Sequence, residues 1–184
     1  MLAGGKEGRI HTNDFQANNL GMLAARSHIT SMATLALKSI AEQAPEVSFI
    51  HDFPGFVNTS IARELTGVGA VVGKVFLKPL MAIMSISADE ASERHAYFAT
   101  SAKFPPRGDE RKDAEGVSRA ENIDLAVGVD ETPGSGVYSI DYDAEGTSKG
   151  VRKVLKGLLD DGTADKAWKH TEEEFMRITG SLTI

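Results

Sequence analysis

Val47-Ser48-Phe49-Ile50-His51-Asp52-Phe53-Pro54-Gly55-Phe56-Val57-Asn58-Thr59 is the stretch that decides the fold. It begins with a short apolar run, Val47 to Ile50, of the kind a buried strand presents. Pro54-Gly55 breaks the run, because proline lacks the N–H that a central strand donates. Ser60-Ile61-Ala62-Arg63-Glu64-Leu65 then opens a helix, with Thr59 or Ser60 as its N-cap. A strand, a tight turn and a capped helix start place backbone N–H groups at the carboxyl edge of a sheet. In open α/β sheets, nucleotides and small substrates bind along that edge. On pattern alone, a plain connection without a ligand is the competing reading.

Upstream, residues 22–44 predict the clearest helix of the chain. Met22, Ile29, Met32-Ala33, Ala36-Leu37 and Ile40-Ala41 recur at three- and four-residue spacing, and Pro45 closes it. This alanine- and methionine-rich face is expected to pack on a sheet or a partner helix. Gly4, Gly5 and Gly8 have no strand in front of them, so they are not read as a phosphate cradle.

Downstream, Gly67, Gly69 and Gly73 interrupt an apolar stretch, each weakening a helix interior by about 1 kcal/mol. A broken or mobile cover over a pocket is expected there. Residues 87–103 predict another helix, with Ser87 and Glu90 in capping-box spacing and Phe104-Pro105-Pro106 as its stop. Arg107 to Glu121 reads as a charged loop. The alternation in GVYSIDY, 136–142, predicts a last strand exposed on one face. Two helices follow, one carrying Val151, Val154, Leu155 and Leu158. The other runs from Ala164 to Ile178, with Trp168, Phe175 and Ile178 on its buried side.

Composition narrows the function classes. The 184 residues suit one domain with a sizeable core, and 41% hydrophobic with 25% charged residues is ordinary for a soluble globular chain. A net charge of −6 without a basic block counts against nucleic acid as a partner. With no cysteine, disulfides, thiol catalysis and thiolate metal sites are excluded, and a reducing compartment fits. Met1-Leu2-Ala3 leads directly into Gly4-Gly5-Lys6-Glu7-Gly8 without the apolar core of a secretory signal. Lys74, Lys78 and Pro79 interrupt the apolar stretch Val68 to Ile86, which counts against a membrane span. A cytoplasmic location is therefore expected. His11, His28, His51, His95 and His170 include no i, i+4 pair, so no metal site is expected, and Glu172-Glu173-Glu174 reads as a solvated helix face.

The segment LAARSHITSMATLALKSIAEQAP, residues 23–45, followed by VSFIHDFPGFVNT, resembles the central part of the short-chain dehydrogenase/reductase family. In that family a long helix carrying Tyr-x-x-x-Lys leads into a strand ending in Pro-Gly-x-Val-x-Thr. Pro54-Gly55-Phe56-Val57-Asn58-Thr59 matches that ending at every fixed position. The segments AGGKEG, ERHAYFATSAKFPP and GVYSIDYDAEG resemble more closely the divergent fungal members associated with secondary metabolism. The resemblance covers nearly the whole chain but only the C-terminal half of a full family member.

It implies an α/β fold, a partial Rossmann-like (doubly wound) sheet lacking the N-terminal nucleotide-binding strands. Residues 1–184 would form a single incomplete domain. Its parts would be the central helix, strand and Pro-Gly corner (1–59), a substrate lid (60–86), and C-terminal helices with the last strand (87–184). NAD or NADP is the implied cofactor, with Pro54, Gly55 and Val57 edging the nicotinamide and Thr59 reaching its amide or a phosphate. The family's glycine-rich loop and acidic ribose reader would precede Met1, so binding by this stretch alone is expected to be weak. A small-molecule substrate and a homodimer through the 22–44 helix are implied as well.

Hydride transfer in that family uses a Ser–Tyr–Lys set, the tyrosine acting as acid or base. Here the tyrosine position falls near Arg26, the lysine position near Thr30 and the serine position near Gly4 or Gly5, and no Tyr-x-x-x-Lys occurs. Tyr97, Tyr138 and Tyr142 lie far downstream. Ser27 and His28 are the catalytic candidates nearest the vacated position, with a structural role as the competing reading for His28. His51-Asp52 has the composition of a relay pair. Adjacent strand residues point to opposite faces, however, so a corner-stabilising role is expected. The implied function is NAD(P)-dependent carbonyl reduction or alcohol oxidation on a fungal secondary metabolite. The alternatives are a truncated, non-catalytic remnant and a fold redeployed for a redox-neutral isomerisation or dehydration.

Overall fold

A computed structural model describes residues 4–57, 85–107, 116–142 and 146–182. The helix opening behind Thr59, the lid of 60–86 apart from Ser85 and Ile86, and most of the charged loop lie outside these residues. The fold is mixed α/β with short parallel sheets. The chain divides into two compact units, one of Met1–Phe53 with Ser101–Ile184, the other of Pro54–Thr100.

The first unit is built on β1 (Phe49–Asp52) and β4 (Val137–Ile140), paired in parallel with Phe49 opposite Val137 and His51 opposite Ser139. The pairing extends by one bond at each end, from Phe49 N–H to Gly136 O and from Phe53 N–H to Ile140 O. Around it lie α1 (Met22–Gln43), α3 (Lys149–Asp160) and α4 (Thr163–Thr179). The core gathers Leu35 of α1, Val137 of β4, Val151, Leu155 and Leu158 of α3, and Ala164 and Ala167 of α4, with Ile10 and Val129 from loops. Ser148 caps α3 by accepting from Val151 N–H, and the left-handed Gly180 ends α4.

The second unit contains β2 (Phe56–Val57), β3 (Ser85–Ile86) and α2 (Ala88–Thr100). β2 and β3 pair in parallel, Phe56 with Ser85 and Val57 with Ile86. Ser87 accepts from Glu90 N–H at 3.0 Å, which is the cap that the spacing predicts. Ala91 and Phe98 are the buried residues of α2.

Three expectations from pattern need correction. The strand in GVYSIDY is buried on both faces rather than exposed on one. Tyr138 packs edge-on against Phe104 and donates its hydroxyl to Pro105 O at 2.7 Å, and Ser139 turns toward the N-terminal segment. Burial of that hydroxyl holds the Tyr138 pKa well above the ordinary tyrosine value. Loops close over β4 from sites remote in sequence, which no local alternation can report. In α4, Phe175 and Ile178 are exposed and Trp168 is only partly buried. The packing comes instead from Thr163, Ala164 and Ala167, with His170 stacked on Phe15 at 4.8 Å.

The third correction concerns α1, which buries a polar stripe of His28, Thr30, Ser31 and Thr34 alongside Leu35 and Ala41, while Met22 and Ile29 face out. The N-terminal loop explains this. Its backbone needs hydrogen-bond partners, and the helix supplies them. Ser31 Oγ accepts from Gly8 N–H and donates to Gly8 O, and His28 Nδ1 accepts from His11 N–H.

Leu155 is fully buried at the centre of the core. Leu155→Ala is expected to lower unfolding free energy by about 2–5 kcal/mol, read from urea denaturation followed by far-UV circular dichroism.

Candidate functional site

The carboxyl ends of β1 and β4 carry a connected set of polar side chains. Two glycines let the N-terminal segment lie across them. A Cβ on Gly4 would stand 1.8 Å from His51 O, and Gly5 holds φ +74° beside Asp141. Gly5 N–H is thereby brought to donate to Ser139 Oγ at 2.7 Å. The same approach delivers Glu7 into the space between β4 and α1.

Glu7 Oε1 accepts from Ser139 Oγ at 2.5 Å and from Thr34 Oγ1 at 2.7 Å. Thr34 Oγ1 also lies 3.1 Å from Thr30 O and 2.8 Å from His51 Nδ1. The threonine has one proton to give, and the shorter contact to a carboxylate outweighs the longer one to a neutral carbonyl. Its oxygen is then left to accept from His51 Nδ1–H. The order of donation runs from Gly5 N–H through Ser139 to Glu7 on one side, and from His51 through Thr34 to Glu7 on the other. This fixes the neutral imidazole as the Nδ1–H tautomer and leaves Nε2 with a lone pair. His51 is half-buried, and its Nε2 makes no hydrogen bond among the described residues. Glu7 Oε2 is buried without a hydrogen-bond partner among the described residues.

Burial pulls the His51 pKa below its ordinary value, opposed by the negative charges of Glu7 and Asp52. Beside this network, Lys6 Nζ pairs with Asp141 at 2.5 Å and stands 5.6 Å from the centroid of the Phe53 ring and 5.8 Å from that of Tyr142. The Arg26 guanidinium lies 5.6 Å over the same Phe53 ring. This rim is cationic with aromatic walls.

The residues singled out from sequence fall in different places. His28 is fully buried, its Nδ1 accepting from His11 N–H and its Nε2 donating to Phe15 O, both at 3.0 Å. Both ring nitrogens therefore serve the N-terminal loop. Ser27 donates to Leu23 O at 3.3 Å within its own helix. Arg26, near which the resemblance puts the family's tyrosine position, carries a guanidinium in place of a phenol. Thr30, near which the resemblance puts the family's lysine position, is fully buried. Pro54, Gly55 and Val57 belong to the second unit, where Gly55 holds φ +90°, and Thr59 lies outside the described residues. Among the described residues no three histidine, aspartate or glutamate side chains converge to hold a metal ion. No described helix is long and apolar enough to cross a membrane.

Sequence reasoning missed Glu7, Thr34 and Ser139, which lie in three separate segments and match no short motif. The one available signal was His51 at the end of an apolar run, where a polar residue requires a partner.

No protein-family model matches the chain. No solved structure matches it either. Among curated proteins it is similar to the oxidoreductase andH of Emericella variicolor, 28% identical over 183 residues, covering 98% of this chain and 52% of that protein. An oxidoreductase of Emericella nidulans is 30% identical over 174 residues, covering 94% and 51%. The NmrA-like family domain-containing oxidoreductase notO of an Aspergillus species is 29% identical over 180 residues, covering 95% and 47%. The chain is thus related to fungal oxidoreductases, and it spans about half the length of the curated relatives it matches.

The lowered pKa of His51 makes stability depend on pH. The unfolded chain takes up the imidazole proton near the ordinary value of 6.5, before the folded chain does. Stability is therefore complete above that value and is lost as pH falls below it. Urea midpoints are expected to drop between about pH 7.5 and about pH 5.5, with a shallower drop in His51→Asn, whose amide can still donate to Thr34.

Proposed function

We propose that this chain is the C-terminal half of an NAD(P)-dependent short-chain oxidoreductase. It would reduce a carbonyl or oxidise an alcohol on a small molecule of fungal secondary metabolism. The observation that carries the reading is the polar network at the carboxyl ends of a parallel strand pair, the position where α/β enzymes bind their ligands. The fungal relatives support it, each named an oxidoreductase, one of them as NmrA-like. The match of Pro54 to Thr59 to the family's strand ending supports the type of cofactor.

In this reading Pro54, Gly55, Val57 and Thr59 are the cofactor contacts. Gly55 carries no side chain, which suits close approach by a planar amide. When bound, the cofactor supplies the hydride acceptor or donor. This chain's own residues orient the substrate oxygen and manage its proton. The described residues contain no glycine-rich phosphate loop: Gly4 and Gly5 are packed on His51 and Asp141, and Gly8 is bonded to Ser31. A second reading, redox-neutral chemistry on the same fold, draws on the absence of Tyr-x-x-x-Lys, whose positions would fall near Arg26 and Thr30.

Thermal melts of the purified chain with saturating NADPH or NADH test the cofactor. One nucleotide should raise the transition temperature by several degrees, since a ligand bound only to the native state stabilises it. Thr59→Ala should reduce that rise. A cooperative transition indifferent to both nucleotides favours redox-neutral chemistry, and no transition favours a remnant that does not fold alone.

The proposed homodimer runs through α1, whose Met22 and Leu23 are 84% and 76% exposed. Analytical ultracentrifugation should find a dimer, and Leu23→Glu should shift it to monomer without lowering the melting temperature of the fold.

A further inference from the structure

We infer that His51 is the acid/base of this chain, its Nε2 exchanging a proton with a hydroxyl or carbonyl oxygen of a substrate at the carboxyl ends of β1 and β4. The oxidoreductase reading enters only in naming the reaction. The assignment of the proton-carrying atom stands on geometry.

Elimination points the same way as construction. At Arg26, near which the resemblance puts the family's tyrosine position, a guanidinium stands in place of a phenol. His28 has both nitrogens committed to backbone groups. Ser27 donates within its own helix turn. His51 differs from all three. Its Nδ1 is anchored through Thr34 to a carboxylate, so the ring is oriented and its tautomer is set, while Nε2 keeps its lone pair. A base held by a third, negatively charged group is the arrangement that activates imidazole elsewhere. A corner-stabilising role needs only the Nδ1 contact. It does not need a carboxylate inserted from the N-terminal loop with one oxygen buried and unpartnered.

The charges around His51 suit proton exchange. Glu7 comes from the loop and Asp52 from its own strand, and both favour the imidazolium. On β4, Ser139 is neutral, and just past the strand's end Asp141 is paired with Lys6. On α1, Thr34 is neutral and the Arg26 guanidinium stands over Phe53. Were a nicotinamide bound, it would supply the hydride acceptor or donor, and in the oxidative direction Nε2 would take the proton that the substrate hydroxyl loses as its carbinol carbon gives up hydride. A carbonyl is left, and the imidazolium is held by Glu7 through Thr34. Reduction runs the same step backward.

The test uses the whole chain and needs neither the native substrate nor the nucleotide. In ¹⁵N-histidine-labelled protein, His51 should be the neutral Nδ1–H tautomer at neutral pH, and Thr34→Val should abolish that preference. With p-nitrophenyl acetate as probe, Nε2 attacks the ester carbonyl, p-nitrophenolate leaves, and water hydrolyses the acetyl-imidazole to acetate. Cleavage should rise with pH along the same titration that the NMR signal of His51 follows. It should fall to the background of free imidazole in His51→Asn and by about tenfold or more in Thr34→Val. An Nε2–H tautomer in the unmodified chain overturns the inference without any variant. So does ester cleavage that is unchanged in His51→Asn. Ester cleavage that depends on His51, together with melts indifferent to NADPH and NADH, keeps this acid/base and removes only the redox reading.

Discussion

One carboxylate oxygen, Glu7 Oε1, sits between the hydroxyls of Ser139 and Thr34, and through them three distant stretches of chain are held in register. Ser139 belongs to β4, Thr34 to the middle of α1, and Glu7 to a loop with little regular structure of its own. A partly buried carboxylate is tolerated only if donors replace its water, so the two hydroxyls and the charge require each other. The His51 ring and the Gly5 amide are ordered as a result, because each bonds to a hydroxyl whose direction Glu7 has fixed. Position and chemistry of the candidate site follow from the same contact.

The glycines make that contact reachable. Gly4 approaches His51 O at a distance no side chain would permit, and Gly5 turns in a left-handed conformation against Asp141. These residues resemble a phosphate loop in composition, but Gly4 and Gly5 are packed on His51 and Asp141, and Gly8 is bonded to Ser31. Their role is to bring backbone against backbone. The polar stripe of α1 is the other half of the arrangement. A helix carrying His28, Ser31 and Thr34 on its inner face would be poorly placed against an apolar sheet, but it is well matched to a loop whose amides and carbonyls need partners.

Local signals carried the reading where the cause is local. The Pro45 stop, the Ser87 cap with Glu90, and the apolar run before Pro54-Gly55 each act within a few residues, and the corresponding helix and strand ends fall within two residues of expectation. Hydrophobic periodicity found Met32, Leu37 and Ala41 of α1, which pack in or against the core, but not its polar stripe or the exposed outer half of α4, because it assumes that the neighbour is apolar and present along the whole helix. Neither assumption holds for Ser31, bonded to Gly8, or for Ile178, which is 71% exposed. The acid/base candidates Ser27 and His28 were chosen by nearness in sequence to a vacated position. The group with an available ring nitrogen, His51, lies on the strand that follows the helix.

By itself the sequence determined an α/β chain with its principal helices, a strand ahead of a Pro-Gly break, and the absence of the Tyr-x-x-x-Lys pair. These depend on spacing, turn chemistry and residue type, all of which act over short range. Only the tertiary structure decided that Glu7, Thr34, His51 and Ser139 meet, which nitrogen of His51 is tied, and which face of α1 is buried. Glu7 and Ser139 are separated by 132 positions. Their meeting is set by where the loop crosses the strand ends and how β1 registers with β4, and no local pattern encodes either.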